Sequence, residues 1–386
     1  MAGSIYSTPR IGVGRHTGYA YDKWLDALGL PVHTGYFIED LRKAELAPWE
    51  EMQCNAAMIQ LEGMHGVTGA CVMEIPGGGS MTPTRFALDE TIFVVAGHGI
   101  TTVWTDEGKK HSFEWGPRSL FCIPQGVYRQ HSNARGDQPA RIVANNYMPL
   151  AMEMFPDPKF FYADTYMDPG LLAADGSSEA YSVATRSEGG RGATWRGNFF
   201  TDLAGWDGLV PHRQRGGGGH VVDIEFPNSV MGGHMSVFPS GTYKKGHRHG
   251  PGVVIIIPSG EGFSVMWPDG EDKVVVPWHE ASMFVPPNRW FHQHFNVSQV
   301  PARYLALSPL KQTRPGNENF VPREDQIEYP DEDPWIRDMF MAEVAKRGGE
   351  SLMPPGAYTD REFNWEYSSN EEAGAEIFGA HLSEEP

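Results

Sequence analysis

The chain has 386 residues, 40 % hydrophobic and 21 % charged, a composition that excludes a disordered protein and leaves room for two globular domains. Its formal net charge of −18 argues against nucleic-acid binding, because no basic stripe offsets that field. The three cysteines form no CxxC pair, so we expect neither a disulfide framework nor a zinc–cysteine site. The 45 glycines and 30 prolines favour a β-protein with many turns.

The first segment, residues 1–54, is predicted to be an extension that contains a short helix around Tyr21 to Leu28. The residues that precede this helix include no apolar core that could act as a signal peptide. The longest apolar run of the chain, Val253 to Ile257, is far too short to span a membrane. We therefore expect a soluble, cytoplasmic protein with no membrane partner.

An internal repeat follows the extension. When the sequence is shifted by 163 residues, Thr91 to Gly97 aligns with Val254 to Gly260 without a gap. Under the same shift, Arg129 to Asn133 aligns with His292 to Asn296. A constant offset over a long stretch implies two copies of one supersecondary unit.

Each copy has the pattern of a β-domain. Short apolar runs rich in β-branched residues, such as Thr91 to Ala96, are bounded by Gly or Pro and indicate buried strands. Strands that enter tight turns at this spacing favour an antiparallel jelly roll. The predicted fold is therefore all-β, with two jelly-roll barrels and a few peripheral helices.

The predicted domain limits follow from the repeat. One helix is expected from about Asp333 to Arg347, with Asp333 as its N-cap and Gly348 beyond its end. The segments are the extension 1–54, the first barrel 55–155, a glycine-rich connection 156–220, the second barrel 221–312 and a C-terminal extension 313–386 that carries this helix.

Three histidines of the second copy have the spacing of a metal site. His247 and His249 are two residues apart, so on a strand both side chains point to the same face. His292 comes from a second strand that can face them. Three imidazoles from two strands leave open coordination positions, which is what a catalytic metal requires.

The second copy also resembles the cupin superfamily. Gly241 followed by the His247-Arg248-His249 triplet resembles the first cupin motif, and Pro287 followed by His292 and Asn296 resembles the second. The resemblance covers both repeats, roughly residues 55–150 and 220–310. It implies a two-barrel protein, a bicupin, with a metal held by the three histidines.

One departure from the cupin pattern limits the resemblance to cupins whose metal is held by histidines alone. The glutamate ligand of the family falls at Val253, which cannot bind a metal. The remaining three-histidine set resembles that of the non-haem iron dioxygenases among the cupins, such as the gentisate dioxygenases. In that group the working metal lies in the first barrel, whereas here the complete motif lies in the second.

The first copy lacks this ligand set. Thr84, Phe86 and Arg129 occupy the three histidine positions, and Glu90 is retained where the second copy has lost its carboxylate. One carboxylate alone holds a metal poorly, so we predict that the first barrel binds no metal. Arg129 and Glu90 are expected to form an ion pair across the former site.

His294 shares the inward face of its strand with His292 and is a candidate catalytic residue. Three roles are open to it: support of the ligands, acid–base chemistry, or service as a fourth ligand. Its counterpart in the first copy, His131, is present without a metal motif, which favours the supporting role.

Further candidates follow from the two-residue period of a strand. Lys245 and Tyr243 precede His247 at this period, and we expect both to point inward near the mouth. Lys245 either attracts an anionic substrate there or is simply solvated. The other predicted substrate-binding residues are Trp290, Met266 and Phe263.

The favoured function is that of a non-haem Fe(II) dioxygenase that acts, with O₂, on a small aromatic acid or an enolisable carbonyl compound. The alternatives are a redox-neutral isomerase, lyase, decarboxylase or hydrolase that uses Zn, Mn or Ni, and a non-catalytic small-molecule-binding protein. One divalent metal per chain is expected, with Fe(II) favoured and Mn, Ni, Zn or Co compatible with the imidazole ligands. The resemblance also implies a homo-oligomer.

Overall fold

A computed structural model describes the protein. The described residues are 19–64, 66–106, 110–162, 181, 184–189, 192–227, 229–308 and 321–367. The strands, in chain order, are β1 (Val32–His33), β2 (Phe37–Ile38), β3 (Ala47–Trp49), β4 (Cys54–Ile59), β5 (Gly69–Ile75), β6 (Thr84–Arg85), β7 (Glu90–Ala96), β8 (Gly99–Trp104), β9 (Lys110–Trp115), β10 (Leu120–Ile123), β11 (Tyr128–Asn133), β12 (Ala140–Asn146), β13 (Thr185–Gly189), β14 (Gly192–Arg196), β15 (Phe199–Phe200), β16 (Val210–Pro211), β17 (His220–Glu225), β18 (Gly232–Phe238), β19 (Gly246–His247), β20 (Val254–Ser259), β21 (Gly262–Trp267), β22 (Val274–Trp278), β23 (Met283–Phe284), β24 (Phe291–Asn296), β25 (Ala302–Ser308) and β26 (Gln326–Ile327).

The described helices are short and peripheral. They are α1 (Ala20–Leu28), α2 (Met148–Met154), α3 (Lys159–Tyr162), α4 (Pro322–Asp325) and α5 (Pro334–Lys346). Among the described residues, no helix combines the length and the hydropathy that a membrane span requires.

Each copy of the repeat builds a large and a small sheet. The first copy has the large sheet β1-β4-β5-β12-β7-β10-β15 and the small sheet β6-β11-β8-β9. The second has β13-β14-β17-β18-β25-β20-β23-β2 and β22-β21-β24-β19-β26. Apolar side chains of the large and the small sheet pack together in each copy. The predicted all-β fold of two jelly-roll barrels is thus confirmed.

The outer faces of the two large sheets pack against each other. Val72 and Val143 of the first barrel share one buried cluster with Met235 and Leu305 of the second. Central strands of these sheets, such as β7, β20 and β25, are therefore buried on both faces, which explains their continuous apolar runs.

Two short strands cross from one copy of the repeat to the other. β2, in the N-terminal extension, pairs with β23 of the second barrel. β15, in the connection, pairs with β10 of the first barrel. If the chain is divided into two consecutive barrel segments, β2 and β15 therefore fall outside the segment whose sheet each of them joins.

Equivalent arginines hold the segments beside the crossing strands. Arg141 donates to the carbonyl oxygen of Leu41 at 2.9 Å, next to β2. Arg303 donates to the carbonyl oxygen of Leu203 at 2.7 Å, shortly after β15. Buried carbonyl groups need such donors, and these pairings attach each segment to the barrel surface.

Both predicted helices are present. α1 ends at Gly29, whose positive φ of 66° suits a glycine C-cap. At α5, the side chain of Asp333 accepts a hydrogen bond from the backbone N–H of Trp335, as expected of an N-cap. The described part of the glycine-rich connection contains α3 and the short strands β13 to β16. These strands lack apolar runs and depend on pairing with β17 and β10.

Candidate metal centre

The structure brings His247, His249 and His292 together. His247 on β19 lies directly opposite His292 on β24 in the antiparallel ladder, and their ring centroids are 4.2 Å apart. The ring of His249, just beyond the end of β19, is 4.6 Å from that of His292. One nitrogen from each residue can be chosen so that all three lie within 4.8 Å of one another.

Backbone carbonyl groups orient two of these rings. Nδ1 of His249 lies 2.7 Å from the carbonyl oxygen of Gly250, and Nδ1 of His292 lies 3.2 Å from that of Trp290. Because a carbonyl oxygen can only accept, Nδ1 carries the proton in both rings and Nε2 keeps its lone pair for a metal.

His247 provides a direct test of whether a metal fits. Its Nδ1 is buried and has no hydrogen-bond partner among the described residues. Burial holds the pKa of His247 well below its usual range, and the nearby Arg215 adds to this effect. Burial also lowers the pKa of His292, as does His249. The uncharged rings of His247 and His292 can each offer a lone pair, so these two residues together with His249 fit a divalent ion.

The cluster is built from nitrogen ligands alone. Val253, at the position of the cupin glutamate, is buried in the apolar interior of the barrel. Within the described part of the chain, the three-residue cluster contains no carboxylate. The intervening Arg248 forms ion pairs with Asp325 at 2.9 Å and Asp269 at 2.6 Å.

His294 has the contacts of a supporting residue. Its Nδ1 lies 2.7 Å from the hydroxyl oxygen of Ser264, which also accepts a hydrogen bond from Nε1 of Trp278 at 3.0 Å. Ser264 thus links the indole of Trp278 to the imidazole of His294 and holds that ring in place. The hydroxyl has one proton and two lone pairs, so this contact is compatible with either tautomer of His294. The catalytic role predicted for His294 stays a prediction.

The predicted substrate-binding residues divide between the two faces of the small sheet. Met266 lies directly opposite His292 on β21 and so shares the inner face. Trp290 is half-buried beside the inner cluster, with its ring 5.7 Å from that of Tyr36. Both residues are placed where a substrate beside the histidines could contact them.

The inward orientation predicted for Tyr243 is wrong, and Phe263, predicted to bind substrate, lies on the same outer face of the small sheet. Tyr243 stacks on Phe295 at 4.8 Å, and Phe263 stacks on the same ring at 4.5 Å. All three belong to the apolar cluster between the outer face of the small sheet and α5. The hydroxyl of Tyr243 also donates to Glu332 on that side.

Lys245 is not available to attract a substrate as predicted. Its Nζ lies 2.5 Å from a carboxylate oxygen of Glu328, which neutralises its charge. The preceding residue, Lys244, is fully buried instead. The two-residue period fails here because the chain between Tyr243 and β19 is irregular and does not form a continuous strand.

Lys244 is a site residue that the sequence analysis missed. Its ammonium group contacts the hydroxyl of Ser236 and lies 3.3 Å from that of Tyr304, two residues on the inner face of the large sheet. Burial, with a smaller contribution from the nearby positive charge of Arg215, lowers the pKa of Lys244 to about 7. Because the two lysines are adjacent and of the same type, their residue types do not indicate which one faces inward.

Arg215 is a second residue that was missed. It lies in the glycine-rich connection, and its Nη1 donates to the side-chain oxygen of Gln326 at 2.7 Å. Gln326 lies directly opposite His247 in the antiparallel pairing of β19 and β26, so this contact places Arg215 on the side of the histidine cluster. Its positive charge contributes to the lowered pKa of His247, His292 and Lys244. Burial lowers its own pKa to about 10, which leaves it charged at neutral pH.

Comparisons with known proteins give only distant matches. No family model and no curated protein matches the chain. Among solved structures, the formate complex of Lactobacillus farciminis oxalate decarboxylase has 14 % identity and a TM-score of 0.48, and covers 84 % of this chain and 96 % of its own. A deletion mutant of Bacillus subtilis oxalate decarboxylase has 12 % identity and a TM-score of 0.45, and covers 71 % and 76 %. A structure from a study of the Mn(II) centres of that Bacillus subtilis enzyme has 11 % identity and a TM-score of 0.45. The match covers 74 % of this chain and 78 % of that one. These values are too low to transfer a metal, a substrate or a reaction to this chain.

Proposed function

We propose that this protein is a metal-dependent enzyme that acts on a small aromatic acid or an enolisable carbonyl compound in its second barrel. The observation that carries the proposal is the convergence of His247, His249 and His292, one nitrogen of each within 4.8 Å of the others. Two cations lie in the same barrel. Arg215 contacts Gln326, which pairs with His247, and Lys244 lies 3.3 Å from the hydroxyl of Tyr304.

The three histidines would hold the metal through their unprotonated nitrogens. When bound, a divalent ion in this site supplies Lewis-acid chemistry or, if it is iron, the activation of O₂ at its open coordination positions. The hydrogen bonds of His249 and His292 to backbone carbonyls keep their rings in place before the metal arrives.

The cations favour an anionic substrate. A charged group is costly to bury unless an opposite charge lies near it. Glu328 already pairs with Lys245, and the partners of the buried Lys244 are neutral hydroxyl groups. A substrate carboxylate would compensate the charge of Lys244 and orient the rest of the substrate toward the histidines.

For the reaction, the leading candidate is dioxygenation of a small aromatic acid or an enolisable carbonyl compound. The ligand set supports it, because three neutral imidazoles without a carboxylate leave the full charge of the metal to bind a chelating anion.

The second candidate is a redox-neutral reaction that uses Zn, Mn or Ni, as catalysed by a decarboxylase, an isomerase, a lyase or a hydrolase. Lys244 supports it, because an amine with a pKa of about 7 beside the Tyr304 hydroxyl can donate or accept a proton near neutral pH. A non-catalytic binding protein remains the third alternative.

One experiment separates the three functions. Protein purified without a histidine tag is analysed for metals, and O₂ uptake is followed with Fe(II) and a panel of dihydroxybenzoates and diketones. About one iron per chain and substrate-dependent O₂ uptake support the dioxygenase. About one Zn, Mn or Ni per chain without O₂ uptake supports the redox-neutral enzyme. Protein that retains no metal contradicts the proposal and leaves the binding protein.

A further inference from the structure

A separate cavity lies inside the first barrel, at the positions where the second barrel has its histidines. Its volume is about 60 Å³, and Thr84, Glu90, Arg129 and His131 are among the residues that line it. One water molecule needs roughly 10–15 Å³ measured in this way, so the cavity can take several waters or one small molecule.

The charges in this cavity compensate each other. Nη2 of Arg129 donates to one carboxylate oxygen of Glu90 at 2.8 Å, and Nδ2 of Asn146 donates to the other at 3.2 Å. Both residues of the ion pair are about nine-tenths buried. The predicted pair is therefore present, and both oxygens of its carboxylate already accept a hydrogen bond.

Arg129 retains unused donors. A guanidinium group has five N–H bonds, and in the described part of the chain only Nη2 of Arg129 has a hydrogen-bond partner. The group lies over the ring of Phe86, 5.3 Å from its centroid, which fixes its plane. Nε and Nη1 of a nearly buried arginine are thus left to be satisfied by something in the cavity.

His131 is a second polar group of the cavity, and it is uncharged. Its Nδ1 lies 2.7 Å from the hydroxyl of Thr101, which accepts from Nε1 of Trp115 at 2.9 Å. In the tautomer in which Nδ1 accepts the hydroxyl proton, Nε2 carries the ring proton and is a donor. Burial, with a smaller contribution from the charge of Arg129, lowers the pKa of His131 to about 3, so the ring is uncharged at neutral pH.

Most of the remaining walls are apolar and adaptable, although Tyr21, Asn146 and Tyr162 also line the cavity. Trp24, Met58, Met73, Met81 and Met148 line the same cavity. Methionine side chains have several accessible rotamers and a polarisable sulfur, so they fit apolar groups of different shapes.

We propose that the first barrel is a metal-independent binding site for a small uncharged carbonyl compound, such as a ketone or an amide with a short apolar body. The carbonyl oxygen would accept from Arg129 and His131, while the body contacts the methionines. A carboxylate would fit less well, because Glu90 neutralises Arg129 and would repel a second negative charge.

The test compares 2-butanone with propanoate, which has the same number of non-hydrogen atoms. Binding is measured by saturation-transfer NMR on the full chain carrying His247→Ala and Lys244→Met, so that the second barrel lacks one metal ligand and the lysine proposed to hold a carboxylate. We expect 2-butanone to bind about tenfold more tightly than propanoate, since an unfavourable charge outweighs a similar fit. Equal binding, tighter binding of propanoate, or no binding of the ketone would overturn the proposal.

A variant locates the site. Arg129→Met together with Glu90→Gln removes both charges of the pair and the guanidinium donors, and should weaken 2-butanone binding about tenfold. Retained binding in a variant with native thermal unfolding would place the ketone elsewhere and reject the assignment. If this variant does not fold, Met81→Phe, which reduces the cavity, serves the same purpose. None of these changes touches the three histidines, so the result is independent of the function proposed for the second barrel.

Discussion

The two barrels differ at the ligand positions and agree around them. Arg129 stands where the second barrel has His292, and Glu90 stands where it has Val253. Arg129 and Glu90 form an ion pair in the first barrel. In the second barrel, the histidines come together and Val253 is part of an apolar cluster. The same strand framework therefore supports either a charge-compensated cavity or a nitrogen-only metal centre.

Beneath these positions the barrels share a three-residue unit. Trp115, Thr101 and His131 form it in the first barrel, with hydrogen bonds of 2.9 and 2.7 Å. Its counterpart in the second barrel consists of Trp278, Ser264 and His294, at 3.0 and 2.7 Å. Because the unit is present without the metal histidines, its contacts are explained by the architecture of the barrel.

The motif asparagine is also common to both barrels. Nδ2 of Asn296 donates to the carbonyl oxygens of Phe238, Pro239 and Val300. Nδ2 of Asn133 makes the equivalent three contacts in the first barrel. This residue joins two turns of the barrel, so its presence in a sequence indicates the fold and gives no information about the metal.

The largest expected effect is on metal binding. His292→Ala should reduce bound metal from about one per chain to near zero, because two imidazoles hold a divalent ion much more weakly than three. Elemental analysis measures this, and circular dichroism checks the fold. Arg129→Ala is the matched control at the equivalent position of the first barrel and should keep its metal. Full metal in the first variant, or loss of metal in the second, would show that the metal lies elsewhere.

The next effect is on stability and should be equal in the two barrels. Asn296→Ala and Asn133→Ala should each lower the free energy of unfolding by roughly 3 kcal/mol, because three carbonyl groups lose a buried donor. Urea unfolding measures the change. A loss confined to Asn296→Ala would indicate that the asparagine serves the metal site and not the fold.

A smaller effect should appear in anion binding. Lys244→Met should weaken benzoate binding to the second barrel about tenfold at pH 6, as a charged contact is lost. In the unchanged protein, affinity should fall as the pH rises through about 7, since Lys244 then loses its proton. Isothermal titration at several pH values tests both expectations. Lys245→Met is the control, because Glu328 already neutralises that side chain; an equal effect there would reject the role of Lys244.

The same lysine makes stability depend on pH. Burial lowers the pKa of Lys244 to about 7 in the folded chain, below its value of about 10.5 when unfolded. Between these values the unfolded chain binds more protons, so the contribution of Lys244 to stability increases as the pH rises. The pH slope of the unfolding free energy should be smaller in Lys244→Met, and an unchanged slope would contradict the burial of this charge.

The smallest effect concerns the shared three-residue unit. Ser264→Ala and Thr101→Val should each cost about 2 kcal/mol of stability, because one buried hydrogen bond is removed on each side of the hydroxyl. Imidazole ¹⁵N shifts of the unchanged protein should show His131 protonated on Nε2, as its role as a donor in the first barrel requires. A shift pattern with the proton on Nδ1 would reject that role.

The sequence by itself determined the repeat, the strand-rich fold and the grouping of His247, His249 and His292. These inferences are local: the offset is visible in the residues, and alternate residues of a strand share one face. The helix at α5 was predictable for the same reason, because its cap and its end depend on neighbouring residues.

Only the tertiary structure decided which strands cross between the barrels and which charges face the metal centre. β2 and β15 are two residues long and gain their stability from partners far along the chain, which no local pattern encodes. Lys244 replaced Lys245 inside the barrel because an irregular segment interrupts the alternation before His247. Arg215 reaches the centre from a glycine-rich connection, where backbone freedom leaves the direction of a side chain to its packing.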